Sequence, residues 1–268
     1  MPPAAPQSTG HVLLFDLFGT VVQFVAQVPT VAVAGTAQRT TLGWLREAAE
    51  RELPAVRFAD LLSALMHVTQ EIVRQRPPEY REVPSRERFR RALMRLGVEA
   101  GRAPALAERL SLTHMEHLAS MTVLPPEHAA LLRGLAVRYR LGLVSNFDHA
   151  ATARRVLARH GIAPLFATVV ISEEFGRRKP HAAIFQAALR NLGASTAEAL
   201  FIGDSACDDV LGAHNARMPV VWLNSRGEPL PPGMLPPEHV IRQLTDLPAL
   251  LAGSSFGAER TAAERAAN

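Results

Sequence analysis

The sequence has one lysine, Lys179, one cysteine, Cys207, and few aromatic residues, 6% of 268. A single cysteine excludes an internal disulfide framework and fits a reducing compartment. No stretch of 18 apolar residues runs without polar interruption, so no ordinary membrane span is expected. No Lys or Arg precedes Arg39, and the basic region that a secretory signal needs is missing from this stretch. The expected location is cytoplasmic. Basic residues are scattered among acidic ones, the net charge is only +4, and no basic stripe carries interleaved aromatics, so nucleic acid is not an expected partner. Every basic residue other than Lys179 is arginine. A bias toward arginine in coding could leave one lysine by chance. The functional alternative is a position where a forked guanidinium cannot replace a compact ammonium.

What is present is ordinary for a globular chain, with 48% hydrophobic and 20% charged residues. The length suits one large domain, or a core with a second domain inserted. Five short apolar runs read as buried parallel strands: 11–18, 141–146, 167–172, 199–205 and 219–224. Helical patterns lie between them. Ala150 to His160 stops at Gly161, and Ala182 to Leu192 stops at Gly193. This alternation predicts an α/β fold with a doubly wound, mainly parallel sheet. Such sheets bind ligands at the carboxyl ends of their strands. Asp16, Ser145, Asn146, Asp204 and Ser205 all stand at predicted strand ends.

From about residue 40 to 118 the pattern changes to four amphipathic helices, predicted at Thr41–Leu53, Phe58–Arg74, Ser85–Leu96 and Ala103–Leu118. Arg and Glu alternate on their outer faces, as on a solvated surface. The segment 21–37 reads as a hairpin or loop leading to them. The expected organisation is a catalytic core of residues 1–22 and 119–252, an inserted helical domain of 23–118, and a frayed tail of 253–268.

The polar residues at the strand ends carry recognisable chemistry. Asp16 is a carboxylate at the end of a buried strand, where a substrate phosphorus or carbon can be attacked directly. Asp204, Asp208 and Asp209 offer the hard oxygen ligands that Mg²⁺ prefers, although Asp208 and Asp209 also suit the capping of the following helix. Ser145 and adjoining amides can donate to an oxyanion, and Lys179 can neutralise charge on Asp16 and on a transferred group. Cys207 has no neighbouring base and reads as a packing residue.

Four segments in order resemble the motifs of the haloacid dehalogenase superfamily. They are Phe15-Asp16-Leu17-Phe18-Gly19-Thr20, Val144-Ser145-Asn146-Phe147-Asp148, Arg178-Lys179-Pro180, and Gly203-Asp204-Ser205 with Asp208-Asp209. The resemblance implies a Rossmann-like core with a helical cap inserted after the first strand. It implies Asp16 as a covalently modified nucleophile, with Lys179, Ser145 and Thr20 as catalytic partners. Ser145, Asn146, Lys179 and Phe18 would face the substrate. Asp16, the Phe18 main-chain carbonyl, Asp204 and Asp209 would hold Mg²⁺, Asp209 as an orienter or through water. The expected partner is a small-molecule phosphate ester or haloacid, handled by a monomer or homodimer.

One position departs from the phosphatase pattern. Phosphatases of this superfamily usually carry an aspartate two residues after the nucleophile as general acid and base, and here that residue is Phe18. The 2-haloacid dehalogenases carry an aromatic there, and halide leaves without a proton. They work without metal, however, and replace the motif-four acid that this chain keeps as Asp204. Phosphonoacetaldehyde hydrolases need a cap lysine, which is missing. A Mg²⁺-dependent phosphatase is therefore expected first and a dehalogenase second. A binding or regulatory protein with weakened catalysis is the third reading. His149 and His181 are candidates to replace the missing acid.

Overall fold

The computed structural model describes residues 11–25, 28–33 and 36–253. The predicted frayed tail lies, apart from Gly253, outside the described residues. In chain order the elements begin with β1 (Val12–Phe15), β2 (Gln23–Phe24), β3 (Thr30–Val33) and β4 (Thr36–Arg39). Four helices follow: α1 (Arg46–Glu52), α2 (Phe58–Arg74), α3 (Ser85–Arg95) and α4 (Ala103–Ser120). Then come β5 (Thr122–Val123), α5 (Pro126–Ala136), β6 (Arg140–Ser145), α6 (Ala150–Arg159), β7 (Phe166–Ile171), α7 (Ser172–Phe175) and α8 (Ala182–Leu192). The chain closes with β8 (Ala199–Gly203), α9 (Leu211–Asn215), β9 (Val220–Leu223), β10 (His239–Ile241) and α10 (Leu247–Ala252).

These elements divide into two compact units. One comprises the chain up to Gln23, Val123–Asn146 and Leu157 onward; the other comprises Phe24–Thr122 and Phe147–Val156. The first is built on a six-stranded sheet in the order β10-β9-β8-β1-β6-β7, as the predicted α/β class requires. β1 pairs in parallel with β6 on one side and β8 on the other, with Phe15 opposite Leu143 and Ile202. The next residues, Asp16, Val144 and Gly203, therefore emerge together at the carboxyl edge. That is the point where the strand order reverses, and crevices open there because the following connections diverge.

β1 is apolar throughout because both of its faces are covered, and all four of its residues are fully buried. Val12 and Leu14 join Val144, Phe201 and Trp222 in one apolar cluster with Ile184, Phe185 and Leu189 of α8. Leu13 and Phe15, one pleat out of phase, point to the opposite face. β10 was not anticipated, because three residues bounded by proline-rich loop show too little periodicity to read.

The second unit holds α1–α4 and the antiparallel hairpin of β3 and β4. Along α2, Phe58, Leu61, Leu62, Leu65, Val68 and Ile72 form the stripe buried against Phe89 and Leu93 of α3 and Leu106 and Leu110 of α4. The helix predicted over 41–53 is broken. Thr41–Leu45 is a 3₁₀ turn, capped by Thr40 Oγ1 accepting from Leu42 N–H at 3.2 Å, and α1 begins only at Arg46. Two threonines and Gly43 weaken the α-helix there, and Gly43 lies so close to Pro29 that a Cβ would stand 2.7 Å from its ring. Residues 147–156 join this unit through Ser85 N–H donating to Asp148 O at 2.8 Å and an Arg88–Asp148 ion pair at 3.2 Å. Among the described residues no helix is long and apolar enough to cross a membrane.

Candidate active site

Asp16 directly follows β1, and its N–H donates to the Ile202 carbonyl of β8 at 2.9 Å. The chain then doubles back. Val21 and Val22 N–H both return to the Leu17 carbonyl, at 3.0 and 2.9 Å, and the His128 ring is 2.9 Å from the Val21 carbonyl. Gly19, at φ +94°, sits where a Cβ would stand 2.4 Å from Asp204 Oδ2. Glycine allows both the left-handed conformation and the close approach.

A cavity of about 190 Å³ opens over this edge, with Asp16, Phe18, Asn146, Lys179, Asp204 and Asp209 in its wall. Arg178, Ser205 and Asp208 complete the lining. Of the predicted site residues, Ser145 and Thr20 are absent from it. Thr20 is fully buried, and its hydroxyl donates to Asp204 Oδ1 at 3.3 Å, so it orients a carboxylate. Ser145 is also fully buried, and its hydroxyl has no hydrogen-bond partner among the described residues.

Lys179 is 1% exposed and fills the space between the acids. Its ammonium donates to Asp16 Oδ1 at 2.5 Å and to the Val144 carbonyl at 2.9 Å, and stands 2.7 Å from Asp209 Oδ1. An ammonium has three protons, and three acceptors surround this one. The main chain of Lys179 is held as firmly as its side chain. Asn146 Oδ1 accepts from Lys179 N–H at 2.8 Å, and Asn146 Nδ2 donates to Lys179 O at 3.0 Å. Both ends of the amide expected to face substrate thus hold the lysine in place. Burial works against the charge on Lys179, but Asp16 and Asp209 outweigh it and hold the ammonium above its ordinary value.

Asp209 accepts from Ser205 N–H at 2.9 Å through Oδ2, while Oδ1 faces Lys179. Ser205 Oγ in turn accepts from Asp208 N–H at 3.1 Å. The π-helical turn Ala206–Val210 begins here, so Asp209 combines a helix-start role with an ionic one. Trp222 Nε1–H donates to the Asp204 carbonyl at 2.9 Å, a contact across β8 and β9 that sequence reading missed. No local pattern announces it.

Burial dominates the acid–base character of the three acids. It pushes Asp16 up to about 7, with Asp209 and Asp204 adding to the rise and Lys179 opposing it. It pushes Asp204 up to about 6 and raises Asp209 as well. One carboxylate oxygen from each of Asp16, Asp204 and Asp209 can be chosen so that all three lie within 4.8 Å of one another. Three crowded hard-oxygen donors facing one buried cation fit a small divalent metal, whose charge would relieve their repulsion.

The histidines expected to supply an acid are otherwise engaged. His181 Nδ1 accepts from Ala183 N–H at 3.1 Å as the N-cap of α8. His149 Nδ1 lies 2.9 Å from Thr152 Oγ1 at the start of α6. Neither lines the cavity.

Gly203 supplies a direct test of this packing. A Cβ there would lie 2.4 Å from Asp209 Cγ, whereas one on Gly134 in α5 meets nothing within 4 Å. Gly203→Ala is expected to destabilise the protein by about 1–3 kcal/mol. Gly134→Ala should stabilise it by up to about 1 kcal/mol. Urea denaturation of both variants checks this, and equal midpoints would contradict the crowding at Gly203.

Comparison with known proteins gives the family and the fold. A sequence model described as haloacid dehalogenase-like hydrolase matches residues 11–217. The chain is 31% identical to pyrimidine 5'-nucleotidase YjjG of Escherichia coli (strain K12) over 168 residues, 60% of this chain and 74% of that protein. It is 33% identical to glyceraldehyde 3-phosphate phosphatase of Pyrococcus abyssi over 41% of this chain, spanning under half, 46%, of that relative. The structure of 2-haloacid dehalogenase from Pseudomonas syringae pv. Tomato DC3000 superposes with a TM-score of 0.66 at 24% identity, covering 90% of this chain and 98% of that one, a likeness of fold. With the motif order, the sheet topology and the match over most of its length in agreement, the chain belongs to the haloacid dehalogenase-like hydrolases.

Proposed function

We propose that this hydrolase cleaves small-molecule phosphate monoesters through an aspartyl-phosphate on Asp16, with Mg²⁺ as its metal. The observation that carries this reading is the trio of buried carboxylates around Lys179, because three acids against one ammonium leave negative charge that a divalent cation would offset, and Asp204 is the acid that metal-free dehalogenases replace. The names of the nucleotidase and phosphatase relatives support it. Asp16, Asp204 and the Phe18 carbonyl would hold the metal, with Asp209 as orienter because both of its oxygens already have protein partners. When bound, Mg²⁺ supplies Lewis-acid stabilisation of charge on the transferred group.

Lys179 holds Asp16 through Oδ1, leaving the other oxygen to attack phosphorus in line. The P–O bond to the leaving group breaks, and its electron pair leaves with the aryloxide or carboxylate, which needs no proton from the site. Water then cleaves the acyl phosphate, releasing phosphate and restoring the carboxylate. Phe18 cannot protonate the leaving oxygen, which favours acyl or aryl phosphates whose leaving groups need no acid. We assign the helical unit as the lid that sets specificity, and the cytoplasm as the compartment, on the single cysteine.

A parallel screen of phosphate esters and 2-haloacids, with Mg²⁺ and with EDTA, tests the reading. Metal-dependent phosphate release from an aryl phosphate is expected, and undiminished activity in EDTA would defeat it. Phe18 in the cavity wall favours the dehalogenase as the second reading, which metal-independent halide release would establish.

The raised carboxyls give the metal a pH signature. Asp16 near 7 and Asp204 near 6 stand above the ordinary 3.8, so the folded metal-free protein carries protons that an unfolded chain gives up at lower pH. Below about pH 7 the metal must displace them. Mg²⁺ affinity is expected to fall from pH 8 to pH 5.5, by up to about tenfold per unit for each proton displaced. Calorimetry at pH 6.5 in buffers of different ionisation enthalpy should register proton release. Buffer-independent heats would contradict the assignment.

A further inference from the structure

The helical unit holds a cavity of about 320 Å³ to which the chemistry at Asp16 gives no task. Thr41 and Leu42 of the 3₁₀ turn, Met66 and Thr69 of α2, Arg88 of α3 and His114 of α4 stand in its wall. That volume lies at the lower end of the roughly 300–1,000 Å³ of small-molecule pockets, which likewise combine apolar walls with a few polar groups.

Two nitrogens of these wall residues are unmet. His114 is 4% exposed, its Nε2 lies 2.9 Å from Thr41 Oγ1, and its Nδ1 has no hydrogen-bond partner among the described residues. Arg88 Nε is likewise buried without a partner there, although Nη2 pairs with Asp148 Oδ2 at 3.2 Å. Buried polar atoms of this kind cost stability unless something meets them.

Charge decides what that something is. Arg88 is the one charged side chain in the wall among the described residues, and Asp148 already balances it. Burial, with Arg88 and His117 adding to it, pushes the His114 ring down to about 3, so the ring is neutral at ordinary pH. A carboxylate entering here would share Arg88 with Asp148, two acids against one cation. A hydroxyl brings no charge. It accepts from Arg88 Nε–H, and it can donate to or accept from His114 Nδ1, whichever ring nitrogen carries the proton.

We propose that this cavity binds a neutral, hydroxyl-bearing group of the sugar or polyol class, held by Arg88 and His114 and selected against carboxylates. The inference rests on the phosphatase reading for its role, since there the helical unit sets specificity, and it names the kind of group that a substrate carries beyond its phosphoryl.

Ribitol and ribonate, which differ only in a hydroxymethyl against a carboxylate, test it when titrated into the metal-free protein. The ¹³C-methyl resonance of Met66, assigned through Met66→Leu, reports from the cavity wall. Ribitol should saturate its shift at about millimolar concentration, and the His114 Nδ1 resonance should move with it. Ribonate should bind at least about tenfold more weakly. His114→Phe, which keeps a ring without its nitrogens, should weaken ribitol by about 3–10-fold. Asp148→Asn removes the acid that balances Arg88, and should tighten ribonate by about tenfold while ribitol stays within about twofold. Equal affinity of His114→Phe and the parent for ribitol would overturn the proposal. So would ribonate binding the parent as well as ribitol does, or no saturable shift with either. These readouts need neither Mg²⁺ nor turnover, so their failure leaves the phosphatase reading standing, and activity in EDTA that defeats that reading leaves ribitol binding unchanged.

Discussion

Asp16→Asn is expected to abolish turnover of an aryl phosphate, by about 10⁴-fold or more, while leaving the metal-free protein at least as stable as the parent at pH 8. The two halves of this result have one cause. Burial pushes the Asp16 carboxyl up to about 7, so at pH 8 the folded protein holds an ionised group where water would solvate it better. For an acid raised above its unfolded value, stability is lost as pH rises through the folded pKa. The amide cannot ionise and escapes that penalty. It also cannot form the aspartyl-phosphate. Stability curves in urea at pH 8, pH 5.5 and pH 4 separate the effects: the variant should gain on the parent at pH 8, keep about half of that advantage at pH 5.5 and lose nearly all of it by pH 4, near the unfolded value of 3.8. A variant less stable at pH 8 would mean that the ion pair with Lys179 outweighs the desolvation.

Lys179→Met should be the most destabilising substitution in the site, at about 3–5 kcal/mol, because it leaves Asp16 and Asp209 buried without their counter-ion. The loss should be greatest above pH 7 and shrink toward pH 5, as both carboxyls take up protons. Lys179→Arg should not rescue it. A planar fork cannot direct its N–H groups at three acceptors clustered around one buried point, and it is bulkier than the ammonium it replaces. Chemical denaturation across pH measures the first effect, and aryl phosphate turnover of the arginine variant measures the second. An active, stable Lys179→Arg protein would return the lone lysine to an accident of composition.

The sheet was legible because buried parallel strands are written in contiguous, all-apolar runs. Their ends announced themselves through polar residues, since Asp16, Asn146 and Asp204 interrupt those runs. α2 and α8 were legible to the residue, for each has an unbroken apolar stripe and clear stops. The 3₁₀ turn at Thr41–Leu45 was not, because apolar periodicity does not register Gly43 pressed against Pro29.

The candidate site divides along the same line. Its residue types, and their meeting at one edge of the sheet, follow from sequence, because strand order and chain direction bring carboxyl ends together whatever the side chains then do. What each polar group does there was decided by the tertiary structure. Asn146 became a clamp on Lys179, Thr20 a prop for Asp204, and Ser145 a buried hydroxyl out of the wall. Arg178 entered the cavity although no motif reading had assigned it a task. A sequence counts donors and acceptors but does not say which are already satisfied. That depends on distances of a few tenths of an ångström between segments more than 30 residues apart, as between Asn146 and Lys179, and only the folded chain fixes them.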